Sequence, residues 1–151
     1  MVVIDTDVLL LAFAYPNDDR QKINQKFLET VQTAQPATTI YNVMEILGQL
    51  SFNLSAEQLD RWQDWLVNAY DLTVIWDIDP EERIVPETWH EILYERPIRK
   101  MRTVRMAFVD ALILSAAERP LNVNHFVTWN ARHFKGKTTL SVLTPEEYLA
   151  R

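Results

Sequence analysis

Val2-Val3-Ile4-Asp5-Thr6-Asp7-Val8-Leu9-Leu10-Leu11-Ala12-Phe13-Ala14 opens the chain and sets the terms on which the rest is read. Three β-branched residues in a row have the character of a short buried strand, Val2–Ile4. Two aspartates stand at its carboxyl end, and an apolar helical stretch follows over residues 8–14. A carboxylate in that position either caps the next helix or belongs to a site, and Asp7 is well placed to cap the helix begun by Val8.

Working outward, Tyr15-Pro16-Asn17-Asp18 stops the first helix and offers a cap for the next. Phe27, Leu28 and Val31 share one face of an amphipathic helix over about 19–33. Pro36 ends it, and residues 37–40 make a short strand. A helix over 41–52 directs Val43, Ile46, Leu47 and Leu50 inward and leaves Glu45 on another side. Ser55-Ala56-Glu57-Gln58 has the form of a capping box, opening a helix with Leu59, Trp62, Leu66 and Ala69 on one stripe. Residues 72–76 are a strand. A helix starts at Pro80, restarts near Pro86 and is ended by Pro97. Residues 106–117 form an apolar helix carrying Asp110. Strands follow at 125–128 and 140–143, and Thr144-Pro145-Glu146-Glu147 begins a last helical turn.

Five strands separated by helices specify an α/β fold, with a central, mostly parallel sheet flanked by helices. Ligands of such sheets sit beyond the carboxyl ends of the strands, near the switch in strand order. Asp5 and Asn130 both follow strand ends and so point to one rim.

A chain of 151 residues, 48% hydrophobic with only two glycines, fits a single domain over residues 1–151. The lack of cysteine excludes a disulfide framework, a thiolate zinc site and a cysteine nucleophile. The N-terminus has no basic region or cleavage site of a signal peptide, and no apolar run near it is long enough to span a bilayer. A soluble, cytoplasmic protein without a membrane partner is the expectation. The net charge of −6 is unevenly spread: residues 1–95 carry 5 basic and 17 acidic side chains, residues 96–151 carry 10 and 4. Such asymmetry marks either a polyanion-binding face or unevenly solvated charge.

Asp110 is the most informative residue, a carboxylate within Ala107-Phe108-Val109-Asp110-Ala111-Leu112-Ile113. An ionised acid among apolar neighbours must be paired, hydrogen-bonded or metal-bound. The alternative to a site role is that Asp110 pairs with Arg105 or caps a neighbouring element. Glu45 alone reads as a solvated helix residue.

Four stretches taken together resemble the successive motifs of PIN domains: Val3-Ile4-Asp5-Thr6-Asp7-Val8-Leu9, Asn42-Val43-Met44-Glu45-Ile46, Phe108-Val109-Asp110-Ala111-Leu112-Ile113, and Val127-Thr128-Trp129-Asn130-Ala131-Arg132-His133-Phe134. Their order and spacing match over nearly the whole chain, which is similar in size to single-domain VapC-type toxins. The resemblance implies a PIN-like three-layer sandwich and a metal-dependent endoribonuclease, the toxin of a toxin–antitoxin pair. It implies a catalytic group of Asp5, Glu45, Asp110 and Asn130, in which Asp5, Glu45 and Asp110 ligate Mg²⁺ or Mn²⁺. Asn130 stands where many PIN domains have a fourth acid, so a second metal site would be weaker. Asp7 either supplies that charge or caps the helix. Thr6, Asp7 and Thr128 are candidates to hold the ligating carboxylates from behind.

Arg99, Lys100, Arg102 and Arg105, beside Arg96 and just ahead of the Asp110 helix, are candidates for an RNA-binding edge, which Arg132, Lys135 and Lys137 would extend. His133 either touches substrate or satisfies local backbone, the second being favoured. Trp62, Trp65 and Trp89 are assigned to the core rather than to a partner groove. The family resemblance also implies a homodimer and an antitoxin protein whose tail blocks the acidic pocket. The rival reading is a catalytically attenuated PIN module that binds RNA or a protein without cutting.

Overall fold

The computed structural model describes residues 1–78, 81 and 84–151, apart from the side chain of Gln63. Five strands, β1 (Val2–Ile4), β2 (Pro36–Thr39), β3 (Thr73–Ile75), β4 (His125–Val127) and β5 (Ser141–Leu143), form one sheet in the order β3-β2-β1-β4-β5. Every neighbouring pair is parallel. The chain builds one half of the sheet outward from β1, then returns to lay β4 on the other side of β1. The switch in strand order falls between β1 and β4, as the α/β expectation requires for a site at Asp5.

Helices cover both faces, so the strands are apolar on both sides. Val3 and Phe126 pack on one face with Ala111, Leu114 and Phe134, whereas Val2, Ile4 and Val127 pack on the other with Leu9, Phe27 and Leu66. The α-helices are α1 (Thr6–Ala14), α2 (Gln21–Val31), α3 (Ile40–Leu50) and α4 (Ala56–Ala69) in the first half. In the second half they are α5 (Pro86–His90), α6 (Arg96–Val104), α7 (Phe108–Ala117), α8 (Ala131–Phe134) and α9 (Pro145–Leu149). Capping boxes close the starts of α4 at Ser55 and Gln58 and of α9 at Thr144 and Glu147, as S/T-x-x-E/Q spacing dictates.

The helix expected to start at Pro80 has that start outside the described residues. Its expected stop at Pro97 is not a stop. Between α5 and α6 the chain makes a π-helical stretch, Glu91–Glu95, and Arg96 N–H bonds back to the Glu91 carbonyl. Pro97 then sits in the first turn of α6 and the helix runs on to Val104. A proline in a helix clashes with the carbonyl four residues back and donates nothing to it. The wider turn just ahead of Pro97 accommodates both defects. Arg105 (φ 54) breaks α6 from α7 in the left-handed conformation.

The tryptophans divide. Trp62 packs against the core, but Trp65 and Trp89 stay 48% and 46% exposed, contrary to their assignment to the interior. Helical spacing places them on a shared side of the helix without saying whether another element covers that side. Among the described residues no helix is long and apolar enough to cross a membrane.

Candidate functional site

The site begins where β1 ends. Asp5 is extended (φ −78, ψ 161) and its carboxylate accepts the Thr6 N–H at 2.8 Å. Asp5 is therefore the N-cap of α1, a role the sequence suggested for Asp7. The helix starts at Thr6, ahead of the apolar run that begins at Val8, so Asp7 lies inside the first turn. There its Oδ1 accepts the Trp129 N–H at 3.1 Å, and its Oδ2 accepts the Thr128 hydroxyl and the Asn130 N–H, each at 3.0 Å. Asp7 thus ties β1's end to the turn after β4, across the switch point.

Glu45 reaches the same rim from α3, and its Oε2 accepts the Thr6 hydroxyl at 2.5 Å. Between Asp5 and Glu45 stands Asn42, fully buried. Its Nδ2 donates to Asp5 Oδ1 (2.9 Å) and Thr6 Oγ1 (3.0 Å), while its Oδ1 accepts from the Thr39 N–H (3.1 Å) and hydroxyl (2.6 Å). All four hydrogen-bonding positions of the amide are used. The bonds to Thr39 point the NH₂ group at Asp5 and permit no flipped orientation.

Asp110 enters from the first turn of α7. Its Oδ2 lies 3.0 Å from His133 Nε2 and its side chain is 27% exposed. Two expectations change here. The partner is His133 rather than Arg105, which ends α6 in the left-handed conformation. His133 in turn meets a carboxylate rather than local backbone. Asn130 is the N-cap of α8 but makes no capping bond with its side chain, and that exposed amide borders the acids.

Asp5, Thr6, Asp7, Glu45, Asp110 and Asn130 line one cleft of about 330 Å³. Residues separated by more than 100 positions are brought to one place, with Thr128 buried behind Asp7. Burial pushes the Asp5 carboxyl up to about 8, and the charges of Asp7 and Glu45 push the same way, against the Thr6 N–H that its carboxylate accepts. Asp7 is raised by burial, against the donors on Trp129, Thr128 and Asn130. Among the described residues no three acidic or histidine side chains stand close enough to hold an ion as they are oriented. The donor chemistry does fit a hard divalent cation: the cleft offers carboxylate and amide oxygens, and a buried carboxylate surrounded by carboxylates is relieved by added positive charge.

The expected RNA-binding cations lie elsewhere. Lys100 is paired with Glu118 at 2.7 Å and Arg99 with Glu91 at 3.7 Å. The Arg105 carbonyl accepts from Lys137 Nζ at 2.8 Å. Arg102 borders a groove with Tyr94 and Arg99, and neither Arg102 nor Arg132 pairs with an acid among the described residues. The cation that does line the acidic cleft is Arg20.

Arg20 is the cleft residue that the sequence did not single out, whereas Asn42 and His133 stood inside quoted motifs without a role at the acids. Asn42 left a signal: Thr39-x-x-Asn42 is a capping pattern one turn ahead of Glu45, and the box is present. Arg20 left none, and nothing local pairs His133 with Asp110, since both sets of partners come from folding. No protein-family model matches the chain, and no curated protein matches it.

Proposed function

We propose that the chain is a PIN-type, metal-dependent endoribonuclease in which Asp5, Glu45 and Asp110 hold Mg²⁺ or Mn²⁺. The observation that carries this reading is the convergence of three acids from β1, α3 and α7, with Asp7 and Asn130, in one cleft at the strand-order switch. The cation would supply a polarised water and a Lewis acid for phosphodiester hydrolysis, so no protein nucleophile is needed. The chain's own contribution is orientation. Asn42 and the Thr6 N–H fix the Asp5 carboxylate, the Thr6 hydroxyl fixes Glu45, and Asp7 locks the Thr128–Asn130 turn so that the Asn130 amide faces the acids. Asn130 would hold a water or phosphate oxygen without adding charge. The toxin role, an antitoxin tail entering the cleft with a basic side chain, and a homodimer follow from the resemblance to VapC-type toxins.

A second reading, an attenuated module that binds RNA or a protein without cutting, is favoured by the His133 pair on Asp110 and by the neutral Asn130. Incubating the protein with mixed RNA and Mn²⁺ separates the two. Cleavage that disappears in Asp5→Asn and Asp110→Asn supports the nuclease. RNA binding without cleavage at any metal concentration supports the second reading.

A further inference from the structure

Arg20 stands at the edge of the acidic cleft in a setting built to hold its guanidinium still. Asp18 accepts its Nε at 2.9 Å and its Nη2 at 2.7 Å, and also its backbone N–H at 2.9 Å. The guanidinium carbon lies 5.4 Å from the Trp129 ring centroid. Trp129 is itself fixed: its indole N–H donates to Asn24 Oδ1 at 2.8 Å, and buried Asn24 donates to the Val8 carbonyl at 2.9 Å. Asp18 and the Trp129 ring thus both hold Arg20 before any ligand arrives.

Two of its five N–H groups serve Asp18, which leaves three for a ligand. Arg20 lines the cleft together with Asp5, Asp7 and Glu45, so its positive field reaches the acids rather than open solvent alone. Tyr15, 55% exposed, lines the same cleft. An acidic cleft repels a polyanion unless a cation at its edge holds a neighbouring phosphate. An oriented guanidinium gives bidentate phosphate recognition that a lysine does not. A local staple for the turn ahead of α2 would need the Asp18 fork alone; the indole stack and the cleft-facing side go beyond it.

We propose that Arg20 is the phosphate-holding group of this cleft and that single-stranded RNA enters past it, with an unpaired base stacked on Tyr15. The inference rests on the nuclease reading and adds the substrate's form and its entry side. Tyr15 is exposed at the cleft, and base stacking on an exposed ring requires an unstacked strand. The α6 cations then contribute outlying, sequence-independent attraction.

The test is fluorescence anisotropy of a labelled single-stranded RNA with the Asp110→Asn protein in Mg²⁺, across a salt series. Arg20→Ala in that background weakens binding about tenfold and lowers the slope of log affinity against log salt by about 0.7. Arg20→Lys keeps the charge but loses the fork and recovers only part of the affinity. Tyr15→Ala weakens binding while Tyr15→Phe does not, and Lys26→Ala on the outer side of α2 changes it less than about twofold. Unchanged melting temperatures in these variants exclude unfolding as the cause. Equal binding by Arg20→Ala and its parent overturns the Arg20 assignment and leaves the nuclease reading intact. Full recovery in Arg20→Lys overturns the oriented fork. Tighter binding of duplex than of single-stranded RNA overturns the entry model, and no RNA binding by the parent overturns the Arg20 assignment, while cleavage by wild type judges the nuclease reading separately.

Discussion

Two buried aspartates sit beyond the carboxyl ends of strands in the same sheet and are treated in opposite ways. Asp77, just past β3, is 4% exposed and is met by Arg96 at 3.0 Å, Arg119 at 3.1 Å and the Tyr41 hydroxyl at 3.0 Å. Asp5, just past β1, is 7% exposed and is met by the Thr6 N–H and the Asn42 amide, with Asp7 and Glu45 close enough to raise its pKa. One acid carries its own cations and pins α6 and the end of α7 to β3. The other is held in place by neutral donors and given carboxylate neighbours. A fold that needed only to bury Asp5 would have placed an arginine beside it, as it does at Asp77. The arrangement at Asp5 suits a cation that comes from outside, and that contrast underlies the proposed metal site.

Substitution at the two aspartates should move stability in opposite directions. Asp77→Ala leaves two guanidiniums without their acid and is expected to destabilise the protein by about 2–3 kcal/mol in urea unfolding. That is below the ~3–5 kcal/mol of a fully buried pair, because Arg119 is half exposed. Asn42→Ala strands Asp5, Thr6 and Thr39 and is expected to cost about 1–3 kcal/mol by the same measurement. It should also reduce metal-dependent cleavage about 10- to 100-fold, since the carboxylate loses its orientation. Wild-type stability in Asn42→Ala would remove the clamp from the account.

Asp5→Asn keeps the accepting oxygen and removes the charge, so without metal it should gain about 1–2 kcal/mol near pH 8. The sign follows from the folded pKa of about 8 against an ordinary 3.8. The folded state holds the proton more tightly, so this group's contribution is full below about pH 4, declines as pH rises through about 8, and is flat beyond. The difference in stability between Asp5→Asn and wild type should therefore grow from near zero at low pH to a plateau above about pH 8. A flat difference curve in metal-free melts would contradict the carboxylate crowding. The smallest effect belongs to His133→Ala, where a partly exposed pair is lost. Stability should change by less than about 1 kcal/mol, while Mn²⁺ affinity rises because Asp110 is released.

Legibility in the sequence followed the range of the interactions. The run Val2 to Asp5, the Ser55 and Thr144 capping boxes and the alternation of strands and helices depend on neighbours within a turn, and all could be read directly. Asp110 stood out alone as an acid in an apolar helix, but the acids at 5, 45 and 110 pointed to a site only as a set, through their resemblance to PIN motifs. The capping role passed from Asp7 to Asp5 because helical dihedrals begin at Thr6, which the hydrophobic pattern does not mark. Asp7's true partners lie more than 120 residues away, and the Arg20–Trp129 stack spans a similar distance. Such contacts exist only once β4 lies beside β1. The helix through Pro97 was hidden for another reason: proline reads as a stop unless the preceding turn is known to be widened.

The most direct test is a Mn²⁺ titration of wild type and Asp110→Asn, following melting temperature and cleavage of single-stranded RNA together. Binding to the folded state raises the melting temperature by mass action. At a metal-dependent nuclease site, Mn²⁺ stabilises wild type and switches on cleavage, with both responses lost in Asp110→Asn. Metal that changes neither stability nor cleavage in wild type would contradict the claim that this cleft is a metal-dependent nuclease site.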